Sequence, residues 1–487
     1  MGRRSKSKKI CSIENLSNEI FYEIFKYVDG CDVFYSFSNL NHRFENLLKS
    51  LFFILNINSD HLKSKKYLRK IFKQIFNCHQ NQIISIYMDM SLSFKDTFSF
   101  DSSFNQLATL HLYNLESKKF LRNLSCLSNL SLLNLHICDP SIDLNVIYEI
   151  VLTLPKLKTF HIKTDHNLKF SSLSHIKKNL NEIERLNIRD HCDFNEILSI
   201  LSCSSSLSHL VYIQTNPIDY NIQINSPIIL SKLTHVYLRI TGMKFHVLEN
   251  FLKQISLKLQ TLSLTTENED MKYLDGNHWE NYLSKNLPQL EKFYFKSYMK
   301  HHHRIDQRKL NQFLTSFWIK RQWILEINVH CTHFLYSITP YKKRWYDSLV
   351  NDGITPSSFQ LEKSCQLTLN NVNTKFWKQI QHLISLTKIY HLVLLEGKTF
   401  IGKLIQIVNS LPELISLQFN SLSFVVPNGE DLRPCFSKKS PSKIEKIYVE
   451  NIETNAEIAL LSTLCPRMNC LRIISFGKNT NSYSFYY

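Results

Sequence analysis

Residues 396–404, running from Glu396 through Gly397, Gly402 and Lys403 to Leu404, carry the spacing nearest to a catalytic signature in this chain. Gly397, four intervening residues, Gly402 and Lys403 reproduce most of a phosphate-binding loop, and the apolar stretch 391–395 stands where its strand should precede it. Such a loop also needs a Ser or Thr hydroxyl for magnesium directly after the lysine. That position is Leu404, and the next apolar run ends in Asn420 rather than an Asp. A strand, a turn and a helix explain the segment without a nucleotide. Two histidine groups invite a metal reading: His301, His302 and His303, and His330 with Cys331 and His333. Consecutive histidines point in different directions, and no second ligand pair has zinc-like spacing, so no metal is expected. Cys465 and Cys470 read as core residues of the last repeat-like stretch. With nine glycines, no dinucleotide fingerprint and no nucleophile elbow, the chain is expected to be neither an enzyme nor a cofactor binder.

The elements around these residues are set by composition and pattern. The 487 residues are 44% hydrophobic and 12% aromatic, which implies folded protein and room for several domains or a repeat array. Twelve cysteines lie scattered singly without a C-x-x-C pair, the usage of reduced core thiols in a cytoplasmic or nuclear protein. The basic stretch 1–12 (Arg3, Arg4, Lys6, Lys8, Lys9) lacks the apolar run of a signal peptide and reads as a tail that could direct nuclear import. No apolar segment approaches the length of a membrane span. A net charge of +17, with basic residues beside Trp345 and Tyr346, leaves open nucleic-acid binding by a basic solenoid scaffold, against the plainer reading of a lysine-rich solvated surface.

Residues 13–50 hold three short amphipathic patterns. The first places Ile20, Ile24, Tyr27 and Val28 at the spacing of a core-facing helix stripe, with Phe21 and Phe25 as a second apolar row. Ser17 stands at its N-cap, Asp32 can cap a second helix (Val33, Phe34, Phe37) and Asn41 a third (Phe44, Leu47, Leu48, Leu51). So small a module cannot bury all these side chains, which implies a docking face. The order Leu16, Glu19, Ile20, Ile24, Phe25, Val33, Phe37, Leu40, Arg43 and Phe44 resembles the F-box, with Ser17 where that family usually has proline. By this resemblance Leu16, Ile20, Ile24, Phe25, Val33, Phe37, Leu40 and Phe44 are the residues expected to face a Skp-type adaptor, shared with the core of the module itself.

From residue 81 to 487 one pattern recurs: an aliphatic, two spacers, an aliphatic, one spacer, an aliphatic. It begins at Ile83, Leu107, Leu130, Leu157, Ile183 and Leu207, so successive starts lie 23 to 27 residues apart, and it continues to Met468, Leu471 and Ile473. That period is similar to the leucine-rich repeat, a strand and a helix per unit, in which each unit exposes an apolar face until the next stacks on it. The ninth repeat position, usually Asn or Cys, is matched by Cys138 but not by His191, Thr241 or Glu267, which implies irregular loops. Residues 51–80 read as a helical linker or cap, with Leu62, Leu68, Ile71, Phe72, Ile75 and Phe76 on one face. Residues 296–360, holding Trp318, Trp323 and Trp345, read as an inserted loop region on the binding face. The expectation is an α/β chain, a small all-α F-box module followed by a curved leucine-rich-repeat solenoid. The two resemblances together imply a substrate receptor of a Skp–cullin–F-box ubiquitin ligase, with an unknown protein as target.

Overall fold

A computed structural model describes residues 13–57, 74–91, 99–116, 118–166, 182–190, 194–214, 228, 230–255, 258–300, 307–330, 333–347, 363–371, 388–425, 442–477 and 483–486. The chain divides into two compact units, Met1–Thr215 with Ile222–Lys232, and Asn216–Asn221 with Leu233–Tyr487. Both are mixed α/β and resemble a leucine-rich-repeat fold in their strand ladders.

The first unit opens with three helices, α1 (Asn18–Phe25), α2 (Gly30–Phe37) and α3 (His42–Ser50), close to the three amphipathic patterns. Among the described residues seven parallel strands follow: β1 (Phe53–Ile57), β2 (Ile83–Asp89), β3 (Thr109–Leu115), β4 (Leu132–Ile137), β5 (Thr159–Thr164), β6 (Arg185–Asp190) and β7 (His209–Gln214). The register carries Leu55, Ile86, Leu110, Leu133, Phe160, Leu186 and Leu210 across the ladder as one row, and every member is buried. A second buried row runs from Ile57 through Met88, Leu112, Leu135 and Ile162 to Ile188 and Tyr212. These are the last two positions of the repeated pattern. Its first position, from Ile83 to Leu207, is buried as well, so each repeat contributes three side chains to one core. Between strands, helices such as Leu144–Thr153, capped by Asp143, cover the core from the other side.

A backbone device recurs just before the strands. The carbonyls of Ala108, Ser131, Lys158 and Glu184 each accept two successive N–H groups from the next repeat, at 2.8–3.0 Å. A packed ladder leaves no room for unpaired backbone groups, and this shared acceptor satisfies two donors per turn.

The second unit continues the same logic with β8 (His235–Thr241), β9 (Thr261–Glu267) and β10 (Lys292–Lys300) in parallel. Here the expected inserted loop is corrected. The chain forms a short helix (Ser316–Lys320) and an antiparallel hairpin, β11 (Trp323–Val329) and β12 (His333–Pro340), with β12 wedged between β10 and β11. Trp318 and Trp323 are buried beside Phe293, with ring centroids 6.2 and 5.5 Å from it, so these tryptophans fill the core and not a binding loop. Parallel order resumes at β13 (Gln366–Leu369) and β14 (His391–Leu394). A two-residue parallel pair, β15 (Thr399–Phe400) and β17 (Leu422–Ser423), stands apart from the ladder. The ladder itself goes on through β16 (Ser416–Phe419), β18 (Lys446–Ile452) and β19 (Cys470–Phe476), edged by antiparallel β20 (Tyr483–Tyr486).

A further correction concerns residues 51–80. The strand ladder starts at Phe53, not near 81, because the alternating burial of Phe53, Leu55 and Ile57 extends the sheet by one strand beneath the helices. Of the expected linker helix, Ile75 and Phe76 are buried in a helical segment, while Leu62, Leu68, Ile71 and Phe72 lie outside the described residues, as does the tail 1–12. Among the described residues no helix is long and apolar enough to cross a membrane.

Candidate protein-docking surface

Capping decides how the three helices stand. Asp29, rather than Asp32, caps α2: one carboxylate oxygen accepts from Cys31 N at 2.8 Å and the other from Asn56 N at 2.7 Å. One side chain thereby ends a helix and pins strand β1 to it. Gly30 completes this contact, since a Cβ there would lie 2.8 Å from Ile54 O. Asn41 caps α3 as expected, accepting from Arg43 N and Phe44 N at 3.0 and 3.1 Å. Ser17 sits at the N-cap of α1 but makes no capping bond to the backbone. Its hydroxyl serves the Glu19 carboxylate, which it holds below the usual carboxylate range.

Arg43 closes the module. Its guanidinium donates to Asn18 Oδ1 at 2.8 Å, to Glu14 O at 2.5 Å and to Leu16 O, and it lies 5.4 Å from the Phe21 ring centroid. The chain entering α1 is thus tied to the first turn of α3. At the C-terminal end of α3, Gln82 Nε2 donates to the carbonyls of Leu48, Lys49 and Leu51 at 2.7–3.1 Å and fastens the helix to the start of β2.

The interior is an aromatic cluster. Phe21, Phe25, Phe37 and Phe44 meet at centroid distances of 5.0–5.9 Å, with Phe21 edge-on to Phe44. Phe25, Val33 and Phe44 are buried here, while Leu16 and Phe37 are half-buried. The row expected to face the core is instead the outer one: Phe21 is 0% exposed, whereas Ile20 is 45%, Ile24 39%, Tyr27 87% and Val28 40% exposed. Leu40 is 53% exposed. The phenylalanines win the interior because edge-to-face ring packing supports the larger side chains there. Of the eight residues expected to face an adaptor, Ile20, Ile24 and Leu40 are therefore open to a partner, and Phe25, Val33 and Phe44 hold the module together. An open groove of about 810 Å³ borders the exposed row, walled by Tyr27, Val28, Phe52, Ile54 and Tyr87. Phe52 and Ile54 carry no signal in the sequence because they fall in the stretch that reads as a linker.

The outward face of each unit's ladder is a further broad surface. In the first unit the register aligns Asn56, Tyr87, His111, Asn134, His161 and Asn187. Tyr87 stacks on His111 at 4.0 Å, and Asn134 Nδ2 lies 3.1 Å from His111 Nδ1. Partial burial holds His111 and His161 below the ordinary histidine range. In the second unit residues 344–346 lie across that face. Arg344 donates to Glu326 Oε1 at 2.6 Å and Ser364 O at 2.7 Å, Tyr346 stacks on His391 at 3.9 Å, and Lys446 Nζ donates to Tyr346 O at 2.8 Å.

The chemical near-misses have structural explanations. Lys403 is buried and its ammonium meets Glu396 Oε1, so the lysine of the loop-like segment is neutralised from within the chain. His330 and His333 stack at 4.7 Å across the hairpin turn; Cys331 and His301–His303 lie outside the described residues. Cys465 and Cys470 are buried free thiols, and burial pushes Cys465 up to about 12.

No family model and no curated protein matches the chain. Among solved structures it is similar to a TLR13–ssRNA13 complex, at 14% identity and a TM-score of 0.28, over 78% of this chain and 52% of that one. The chain spans about half the length of that match. So loose a superposition carries no argument about ligands, and the leucine-rich-repeat likeness rests on the ladders described above.

Proposed function

We propose that the chain is a non-catalytic receptor that docks a Skp-type adaptor, and through it a cullin, on the exposed row of α1, and holds a target protein on its strand ladder. This is the role of an F-box and leucine-rich-repeat protein. The observation that carries the reading is the sorting of apolar side chains in the helices. Phe21, Phe25 and Phe44 complete the interior, and Ile20, Ile24, Tyr27 and Leu40 remain outside. An apolar row that the core does not use and a groove beside it are features of an interaction site.

Co-expression with a Skp adaptor tests it. The wild-type chain is expected to co-purify with the adaptor, and Ile20→Asp with Ile24→Asp to abolish recovery. An ionised carboxylate buried without a partner costs more than about 3 kcal/mol, or over a hundredfold in affinity. Failure to bind, or undiminished binding by the double variant, refutes the reading.

A second reading, a basic scaffold for nucleic acid, draws on the Tyr87–His111 stack with exposed Lys163, Arg185 and Arg189 on the same outward face. It requires retention on a phosphate resin with a steep salt dependence and no adaptor.

A further inference from the structure

The outward face of the first ladder carries one group of side chains that neither reading uses. His136 lies near the end of β4, Cys138 follows that strand by one residue, and Asp165 follows β5 by one residue. Residues two apart in extended chain share a face, so His136 and Cys138 project together. The pairing of Ile137 with Thr164 then sets Asp165 beside them. His136 Nε2 is 2.8 Å and Cys138 Sγ 3.2 Å from the same oxygen, Asp165 Oδ2, and Sγ is 3.9 Å from Nε2.

These three groups are wrongly connected for a cysteine nucleophile. A relay needs the carboxylate on one ring nitrogen and the thiol on the other, whereas Nε2 meets both here. Burial, reinforced by Asp165, also pushes the Cys138 thiol up to about 11, the reverse of activation.

We propose that His136, Cys138 and Asp165 form a three-ligand site for a zinc-class divalent ion, with the fourth position open to water. One thiolate, one imidazole and one carboxylate are a zinc donor set. Bond lengths of about 2.0–2.3 Å in tetrahedral geometry place ligand atoms roughly 3.3–3.6 Å apart. The three observed separations straddle that range, and side-chain shifts of about 0.5 Å would meet it. The Asp165 side chain is 40% exposed, so an ion reaches the three groups directly from water. Lys163 opposes the ion: its ammonium lies 3.0 Å from His136 Nε2 and 3.2 Å from Asp165 Oδ1. The Lys163 side chain is 49% exposed and can swing into water when a cation takes its place, while the thiol releases its proton.

The test is a titration of the chelator-treated full chain with Co²⁺, followed by displacement with Zn²⁺. One equivalent of Co²⁺ is expected to give a thiolate-to-metal charge-transfer band that Zn²⁺ abolishes. Cys138→Ser and His136→Ala should lose the band. Lys163→Met, an exposed change that leaves all ligands in place, should bind Co²⁺ more tightly because the competing ammonium is gone. Absence of a band in both the wild type and Lys163→Met overturns the proposal. So does a band that survives Cys138→Ser, which would place the ion on other cysteines.

Discussion

At the residue scale, two side chains show how their partners in the fold replace a local reading of the sequence. Lys403 stands where a phosphate-binding lysine would, yet it is buried against Glu396, with 7% and 12% of the two side chains exposed. Lys403→Met should cost about 3–5 kcal/mol in chemical denaturation, because it strands a buried carboxylate. Lys403→Met with Glu396→Leu should recover most of that loss, since an apolar pair of similar volume replaces a buried ion pair at little cost. A nucleotide lysine would behave differently: adding ATP would stabilise the wild type alone. Asp29 is the second case. Its two oxygens serve both α2 and β1, so Asp29→Ala should cost about 1–3 kcal/mol, and Asp29→Asn less, in urea unfolding.

At the level of helices and strands, the contact between α2 and β1 depends on the missing side chain of Gly30. Gly30→Ala puts a methyl against a backbone carbonyl that cannot turn aside and should destabilise by about 1–3 kcal/mol. Ile20→Asp should leave the unfolding midpoint nearly unchanged, which separates the exposed row from the structural one. The three helices are legible in the sequence because their apolar spacing and the Asn41 cap are local signals. Which row of α1 faces inward is not, since both rows are apolar and only the packing of Phe37 and Phe44 chooses between them. Strand β1 is hidden because five residues of alternating burial leave little pattern, and the hairpin β11–β12 because β12 pairs with the non-sequential strand β10.

Across the whole molecule, repeat stability is a sum of neighbouring interfaces, so a buried group in one repeat is felt along its ladder. His391 offers a measurable case. Burial, with Arg344 and Lys446 nearby, lowers it from 6.5 to about 3. Nε2 lies 2.6 Å from the Lys363 carbonyl, which can only accept, and Nδ1 lies 2.7 Å from Ser416 Oγ, so the neutral Nε2–H form is the one that fits. Between these two values the unfolded chain binds the extra proton. Burying the neutral ring therefore costs nothing in this respect above about 6.5, and stability falls by about 1.4 kcal/mol per pH unit as pH drops from there towards 3. Guanidinium midpoints measured across that window should show this slope, reduced in His391→Phe. An equal slope in the variant would remove His391 as the cause.

Residue order alone was enough for the repeated strands from β2 to β10 and their part of the two core rows, because alternation and a period near one repeat dictate which side chains leave water. It was also enough to show that the loop around Lys403 lacks a magnesium hydroxyl. Three outcomes needed the folded chain: the exposed row of α1, the hairpin filled by Trp318 and Trp323, and the meeting of His136, Cys138 and Asp165. The reason is common to all three. Each depends on which neighbour packs across from it, and that neighbour is distant in the chain, as Asp165 is 27 residues from Cys138.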